Sequence, residues 1–307
     1  MHIYLPIAEL SANALHLLLL GGIAGLLSGI FGIGGGFILT PMLIFIGIPP
    51  AVSVATSTNM IIASSFSGFL SHLKHKRVDI AMGSWLIAGG MLGAGLGVWL
   101  FSRLQRLGQI DLMITLLYIS LLLTIGVIML REARQILAAR AAGLEHHTVS
   151  AITLPGWITR LPWQVEFSRS HVSHSLLLPM AIGLLSGLLV GLLGVGGGFI
   201  MLPLMLYVLR MPISVTIGTS LFQIIFITAA STLLHALTTH AVDIVLAGLL
   251  LMGSVVGAQY GARFSHKIPT HLLRFMLAGL LLTVAARLAY GLFITPSNIF
   301  TLVTDIP

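Results

Sequence analysis

The sequence predicts an all-α polytopic membrane protein. It reads as two inverted-topology repeats, each a glycine-tipped broken-helix hairpin plus three transmembrane helices. Three observations carry this. Hydrophobic residues make up 57% of the 307 and charged residues 7%, against about 25% charged in an ordinary soluble domain. Several apolar runs approach or exceed the ~20 residues that one helical crossing needs. The stretch "FGIGGGFILTP" (Phe31 to Pro41) returns as "LGVGGGFIMLP" (Leu193 to Pro203).

Each element follows in chain order. The first span covers about Leu15 to Gly32 and runs into the first glycine cluster. A short apolar helix follows from about Phe37 to Ile46, and "GIPP" (Gly47 to Pro50) ends it. A long helix covers Ala51 to His72. "KHKRVD" (Lys74 to Asp79) is a loop. Spans follow at Ile80 to Phe101 and at Asp111 to Leu130. Unpaired backbone cannot face lipid, so such runs span as helices. Continuous runs also exclude a β-barrel, whose strands alternate.

The composition then changes. Residues 131–174 carry eight of the 23 formal charges and four of the twelve histidines. "REARQILAARAAG" reads as a helix projecting from the membrane. "LPGWITRLPWQVEF", with Trp157 and Trp163 beside prolines, reads as an interfacial segment. The chain therefore divides into a first transmembrane repeat (1–131), a polar cytoplasmic linker (132–174) and a second transmembrane repeat (175–307).

The second repeat mirrors the first. Gly32, Gly34 to Gly36 and Pro41 match Gly194, Gly196 to Gly198 and Pro203 at an offset of 162. Thr56-Ser57 and His72 match Thr219-Ser220 and His235 at 163, and "VDI" at Val78 matches "VDI" at Val242 at 164. The loop after the third apolar segment is "KHKR" in one half and "TTHA" in the other. Placing the arginine-bearing linker and the Lys74–Arg77 loop inside puts Thr238 to His240 outside and both termini outside, which is the inverted arrangement. Arg103 and Arg106 run against this pattern. The expected location is the cell membrane, multi-pass.

The paired clusters read as tips of two hairpins that dip into the membrane from opposite sides. Consecutive glycines allow positive φ and leave no Cβ in a ligand's way. The short helices starting at Phe37 and Phe199 would offer free N–H groups and a positive dipole end to an anion. No lysine or arginine lies inside a predicted span before Arg287. The substrate-binding candidates are Gly34, Gly35, Gly36, Phe37, Thr56, Ser57, Asn59, Gly196, Gly197, Gly198, Phe199, Thr219, Ser220 and Gln223. Hydroxyl and amide donors suit a small oxyanion; the same hydroxyls also suit capping or back-bonding to the preceding turn. The other "GGIAGLLSG" and "GAGLG" glycines read as packing surfaces.

His72 and His235 are candidates for proton coupling, with a polar helix end at the interface as the plainer reading. Asp79 and Asp243 read as helix caps. "HVSH" (His171 to His174) lacks a third ligand, so no metal is expected, and no cofactor either. Cysteines are absent, which removes disulfides and thiolate sites. "GIGGGF" lacks the lysine of a P-loop and the last glycine of a dinucleotide fingerprint. The charge of +7 sits in short loops and does not read as nucleic-acid binding. The N-terminus lacks a basic n-region and a cleavage site, so no signal peptide is expected.

The paired motifs "GLLSGIFGIGGGFILTPML" with "ATSTN", and "GLLVGLLGVGGGFIMLPLM" with "GTSLF", resemble the sulfite exporter TauE/SafE family over about Leu15 to Gly291. The resemblance implies a multi-pass carrier of sulfite, sulfonates or related small anions. Export coupled to an ion gradient is the family's usual assignment. An anion channel and a non-transporting membrane sensor or assembly protein remain as alternatives. No HExxH, no GxSG and no aspartate pair within spans suggests an enzyme. Expected partners are a small anionic substrate and membrane lipid, not nucleic acid; homo-oligomers stay open.

Overall fold

A computed structural model describes residues 2–31, 35–141, 163–167, 169–170, 172–265 and 270–293. A β-hairpin, β1 (His2–Leu5) and β2 (Leu10–Asn13), precedes α1 (Ala14–Phe31), α2 (Gly36–Phe45), α3 (Pro50–Lys74), α4 (Ile80–Arg106) and α5 (Ile110–Ala141). A second hairpin, β3 (Gln164–Phe167) and β4 (Val172–Ser175), precedes α6 (Leu177–Leu193), α7 (Gly198–Pro203) with its π-helical continuation Leu204–Val208, α8 (Ile213–Thr238), α9 (Ile244–Ser265) and α10 (Thr270–Phe293). Six of the described helices contain stretches long and apolar enough to cross a membrane, and α6 and α2 are shorter apolar helices.

Local chemistry explains the breaks. Pro49 and Pro212 stand just before α3 and α8 with extended ψ of 136° and 135°, where proline is pre-organised for a helix start. Pro203 closes α7, and the next turn loosens into a π-helix, a form that accommodates a lost backbone bond.

The packing is inside-out relative to a water-soluble bundle. Helix α4 buries Gly83, Gly89, Gly90, Gly93, Ala94 and Gly97, while Leu92, Leu96 and Trp99 are exposed. In water such a face would drive aggregation; in lipid it is the solvated side. The glycines let backbones touch. A Cβ on Gly97 would lie 2.5 Å from the Leu188 carbonyl oxygen, and one on Gly191 2.7 Å from that of Ala94. Gly89, Gly93 and Gly97 meet Met180, Leu184 and Leu188 in ascending order, so α4 and α6 run parallel. Gly21 and Gly25 meet Leu250 and Ser254, so α1 and α9 do too. At the centre, Thr58 bonds Thr232 at 2.6 Å and Gly68 faces Leu221, so α3 and α8 run antiparallel. First helices thus pair with the fourth helices of the other half.

Buried aspartates lock this exchange. Asp79 caps α4, with Oδ1 accepting from Met82 N at 3.0 Å. Its Oδ2 accepts from the N–H and hydroxyl of Ser170, in the β3–β4 turn, at 3.1 and 2.5 Å. Asp243 caps α9 through Leu246 N at 3.0 Å and holds Ile7 N, in the β1–β2 turn, at 3.1 Å. The capping reading of both residues matches this geometry. Asp243→Ala strands the buried N–H of Leu246 and frees the part-buried N–H of Ile7, and should cost about 1–3 kcal/mol. A thermal-melt comparison should rank wild type above Asp243→Asn, which keeps one acceptor, and that above Asp243→Ala.

The hairpins were not expected from the sequence. Their strands span four residues each, too short to display alternation. Residues 164–167, read as interfacial, form β3, while α5 runs unbroken through "REARQILAARA". Trp157 and most of the linker lie outside the described residues, as do Gly34 and His171.

Candidate functional site

The site is built where the glycine breaks meet. On the first tip, Gly35 precedes α2 with an ordinary φ of −74°, and its carbonyl accepts from Leu39 N at 3.0 Å. On the second, Gly194, Gly196 and Gly197 all have positive φ, at 63°, 78° and 65°. Only glycine adopts such angles without strain. A Cβ on Gly36 would lie 2.8 Å from the Gly194 carbonyl oxygen, so the two tips touch. Ile61 of α3 packs against Gly36 and Gly196 together.

The carbonyls released at the end of α6 find side-chain partners, as helix ends require. The Tyr118 hydroxyl of α5 donates to Leu193 O at 2.7 Å. The Ser57 hydroxyl lies 3.2 Å from Gly194 O, 3.0 Å from Val54 O and 2.8 Å from Thr40 Oγ1. Ser57 thereby bridges α2 to the opposite tip. Nε2 of His235 lies 2.9 Å from Gly191 O; a carbonyl only accepts, so Nε2 carries the proton. The imidazole also stands edge-on to Phe101, with ring centres 4.6 Å apart.

The remaining candidates divide by what they touch. Thr56 Oγ1 accepts from Asp243 N at 3.1 Å, and Thr219 Oγ1 from Asp79 N at 2.9 Å. Both hydroxyls thus serve the turn that starts a helix of the other half. The Ser220 hydroxyl back-bonds to Ile217 O at 2.9 Å. Phe37 is wholly buried and Asn59 half-buried. Gly198 N donates to Gly196 O at 2.7 Å, closing the second tip. Gln223 is fully buried, and neither atom of its amide has a partner. His72, the sequence counterpart of His235, is only half-buried, with Nδ1 unpartnered. The placement of Gly34 and of the Phe199 side chain lies outside the described residues.

The chain matches the family described as sulfite exporter TauE/SafE over residues 17–288. It belongs to that family. Among its relatives is "Probable membrane transporter protein YunE" of Bacillus subtilis, 26% identical over 286 residues, covering 90% of this chain and 98% of that one. "Probable membrane transporter protein YjnA" of the same organism is 26% identical over 82% of this chain and 90% of its own length. "Sulfite exporter TauE/SafE family protein 3" of Arabidopsis thaliana is 34% identical over 98 residues, which is 32% of this chain and 21% of that one. No solved structure matches. The family, the relatives and the six apolar helices make this a multi-pass membrane transporter of the TauE/SafE type.

In this TauE/SafE chain the sequence reading had missed Thr40, Ile61, Tyr118 and Ser186, all placed at or beside the tips. Tyr118 carried a usable signal: a phenol deep in an apolar span must find an acceptor. Ser186 carried the same kind of signal within "GLLSGLLVG". Nothing about Ile61 distinguishes it in the sequence from other apolar residues of α3. None of the described side chains named at the tips is charged.

Proposed function

We propose that the chain is a secondary transporter that exports small sulfur-containing anions such as sulfite or sulfonates. The anion binds near the membrane midplane between the two GGG tips, and an ion gradient drives the cycle. The observation that carries this reading is the depth of the tips. Gly35 lies against Ala24 and Ser28, ten to fourteen residues into α1, or about 15–21 Å at helical rise. Gly197 lies against Ser186 and Val190, nine to thirteen residues into α6, or about 14–20 Å. Both distances fall near half of the ~30 Å hydrocarbon core.

The antiparallel α3 and α8 support two repeats of opposite orientation, whose discontinuous helices meet at a central site. The lysine and arginine distribution supports a cytoplasmic linker and outward-facing termini. Binding by backbone and neutral donors suits an anion that must also be released. His72 and His235 are the candidates for carrying a coupled proton.

The test is uptake of radiolabelled sulfite into proteoliposomes, with and without an imposed pH gradient. Saturable flux that follows the gradient supports a coupled carrier. Flux that never saturates indicates a channel, and no flux of sulfite or sulfonates removes the sulfur-anion assignment.

A further inference from the structure

The two tips differ chemically, and the difference points to the ligand. At the first tip, the side chains nearest Gly35 are Met60 and Ser28, with Ala24 presenting its backbone. At the second, the nearest atom to a Cβ on Gly197 would be the Ser186 hydroxyl oxygen, at 2.5 Å. Ser186 stands at offset 162 from Ala24, and Gln223 at offset 163 from Met60. The methyl of Met60 lies 2.7 Å from the Cβ position of Gly35, and Gln223 is its repeat counterpart on α8. The atoms nearest a Cβ on Gly197 belong to Ser186 and Val190, so the correspondence sets Gln223 near the second tip but not against the glycine. Ser186 and Gln223 are each 0% exposed, and Ser186 Oγ, Gln223 Oε1 and Gln223 Nε2 all lack partners. Three stranded polar atoms in the protein interior carry a standing cost unless something binds them.

We propose that Ser186 and Gln223 are substrate contacts at the second tip, built for a singly charged oxyanion and most fully satisfied by one that keeps an O–H. The proposal rests on the transport reading above. A serine hydroxyl and an amide N–H₂ donate to oxyanion oxygens, and the amide carbonyl accepts. A protonated monoanion such as hydrogen sulfite can fill all three; the sulfite dianion has no hydrogen for Oε1. A dianion would also bring about four times the Born desolvation cost, since that cost grows as charge squared, with no cation among the described tip side chains to offset it.

The double variant Ser186→Ala/Gln223→Met gives the second tip the residues of the first. Binding of radiolabelled sulfite to purified protein in nanodiscs, thermal melting without ligand and the pH dependence of uptake are the readouts. Sulfite binding should weaken at least tenfold, since two to three hydrogen bonds are lost. The ligand-free variant should melt higher than wild type, because stranded polar atoms are gone. Wild-type uptake at fixed total sulfite should rise as pH falls and the hydrogen sulfite fraction grows. Unchanged affinity, or a variant that melts lower, overturns the contact assignment while leaving wild-type transport standing. Uptake that tracks the dianion overturns the ligand class. A wild type that binds no sulfite at any pH overturns the transport reading itself and this proposal with it.

Discussion

Gly187→Leu should leave almost no folded protein in the membrane. A Cβ at this position would collide with the Gly90 carbonyl oxygen and stand 2.7 Å from its carbon and 2.9 Å from Ala94 N. Every one of these atoms is backbone, so no rotamer change relieves the clash. Helix α4 would have to lift off α6, opening the seam that Gly93, Gly97, Gly183 and Gly191 keep closed. Overpacking of a core commonly costs about 1–3 kcal/mol; a backbone collision along a whole helix pair should exceed the upper figure. Gly95→Leu is the companion variant, because nothing lies within 4 Å of a Cβ on Gly95. Size-exclusion chromatography of the detergent-solubilised proteins should give a normal monodisperse peak for Gly95→Leu and little or none for Gly187→Leu.

The second large effect is on transport rather than folding. Gly35→Leu and Gly197→Leu should both lose saturable sulfite flux by at least about tenfold while the protein still purifies. That factor corresponds to about 1.4 kcal/mol in the transport step. Alanine should separate the two sites. Gly35 already has φ of −74°, which an alanine adopts freely, and the close Met60 methyl is the flexible end of a side chain. Gly197 has φ of +65°, where an L-residue costs about 1–2 kcal/mol, and its Cβ would press on Ser186. Flux measured in proteoliposomes should therefore fall further for Gly197→Ala than for Gly35→Ala. Equal and normal flux for both leucine variants would make the tips packing features.

The duplicated glycine clusters and the apolar runs make the helix order readable in the sequence. The breaks at "GIPP" and at both GGG clusters fall where the helices stop, because glycine and proline act on the local backbone alone. Partner choice was not readable in the same way. Gly93 and Gly187 look like generic small residues; only the fold shows that α4 lies along α6 of the other half. Thr56 and Thr219 show the same limit. Their position near the tips in sequence suggests donors for an anion; only the fold shows that each hydroxyl also accepts from the N–H of an aspartate 187 or 140 residues away. Symmetry in sequence also failed to predict symmetry of environment. His235 is sealed against Gly191 and Phe101, whereas His72 sits half-buried near the end of α3. Ser186 and Gln223 have Ala24 and Met60 as counterparts, so alignment of the halves hides them and burial without partners reveals them.

The central claim is that the substrate passes where the two tips meet. The chain contains no cysteine, so a single Ile61→Cys thiol can report on that point alone, beside Gly36 and Gly196. The decisive measurement is the rate at which a small, water-soluble thiol reagent modifies Ile61→Cys in proteoliposomes, with and without saturating sulfonate substrate. The sulfonate, unlike sulfite, does not consume the reagent. The account predicts reaction in the absence of substrate and marked protection in its presence. Equal rates in a variant that still transports would place the pathway elsewhere and contradict the account.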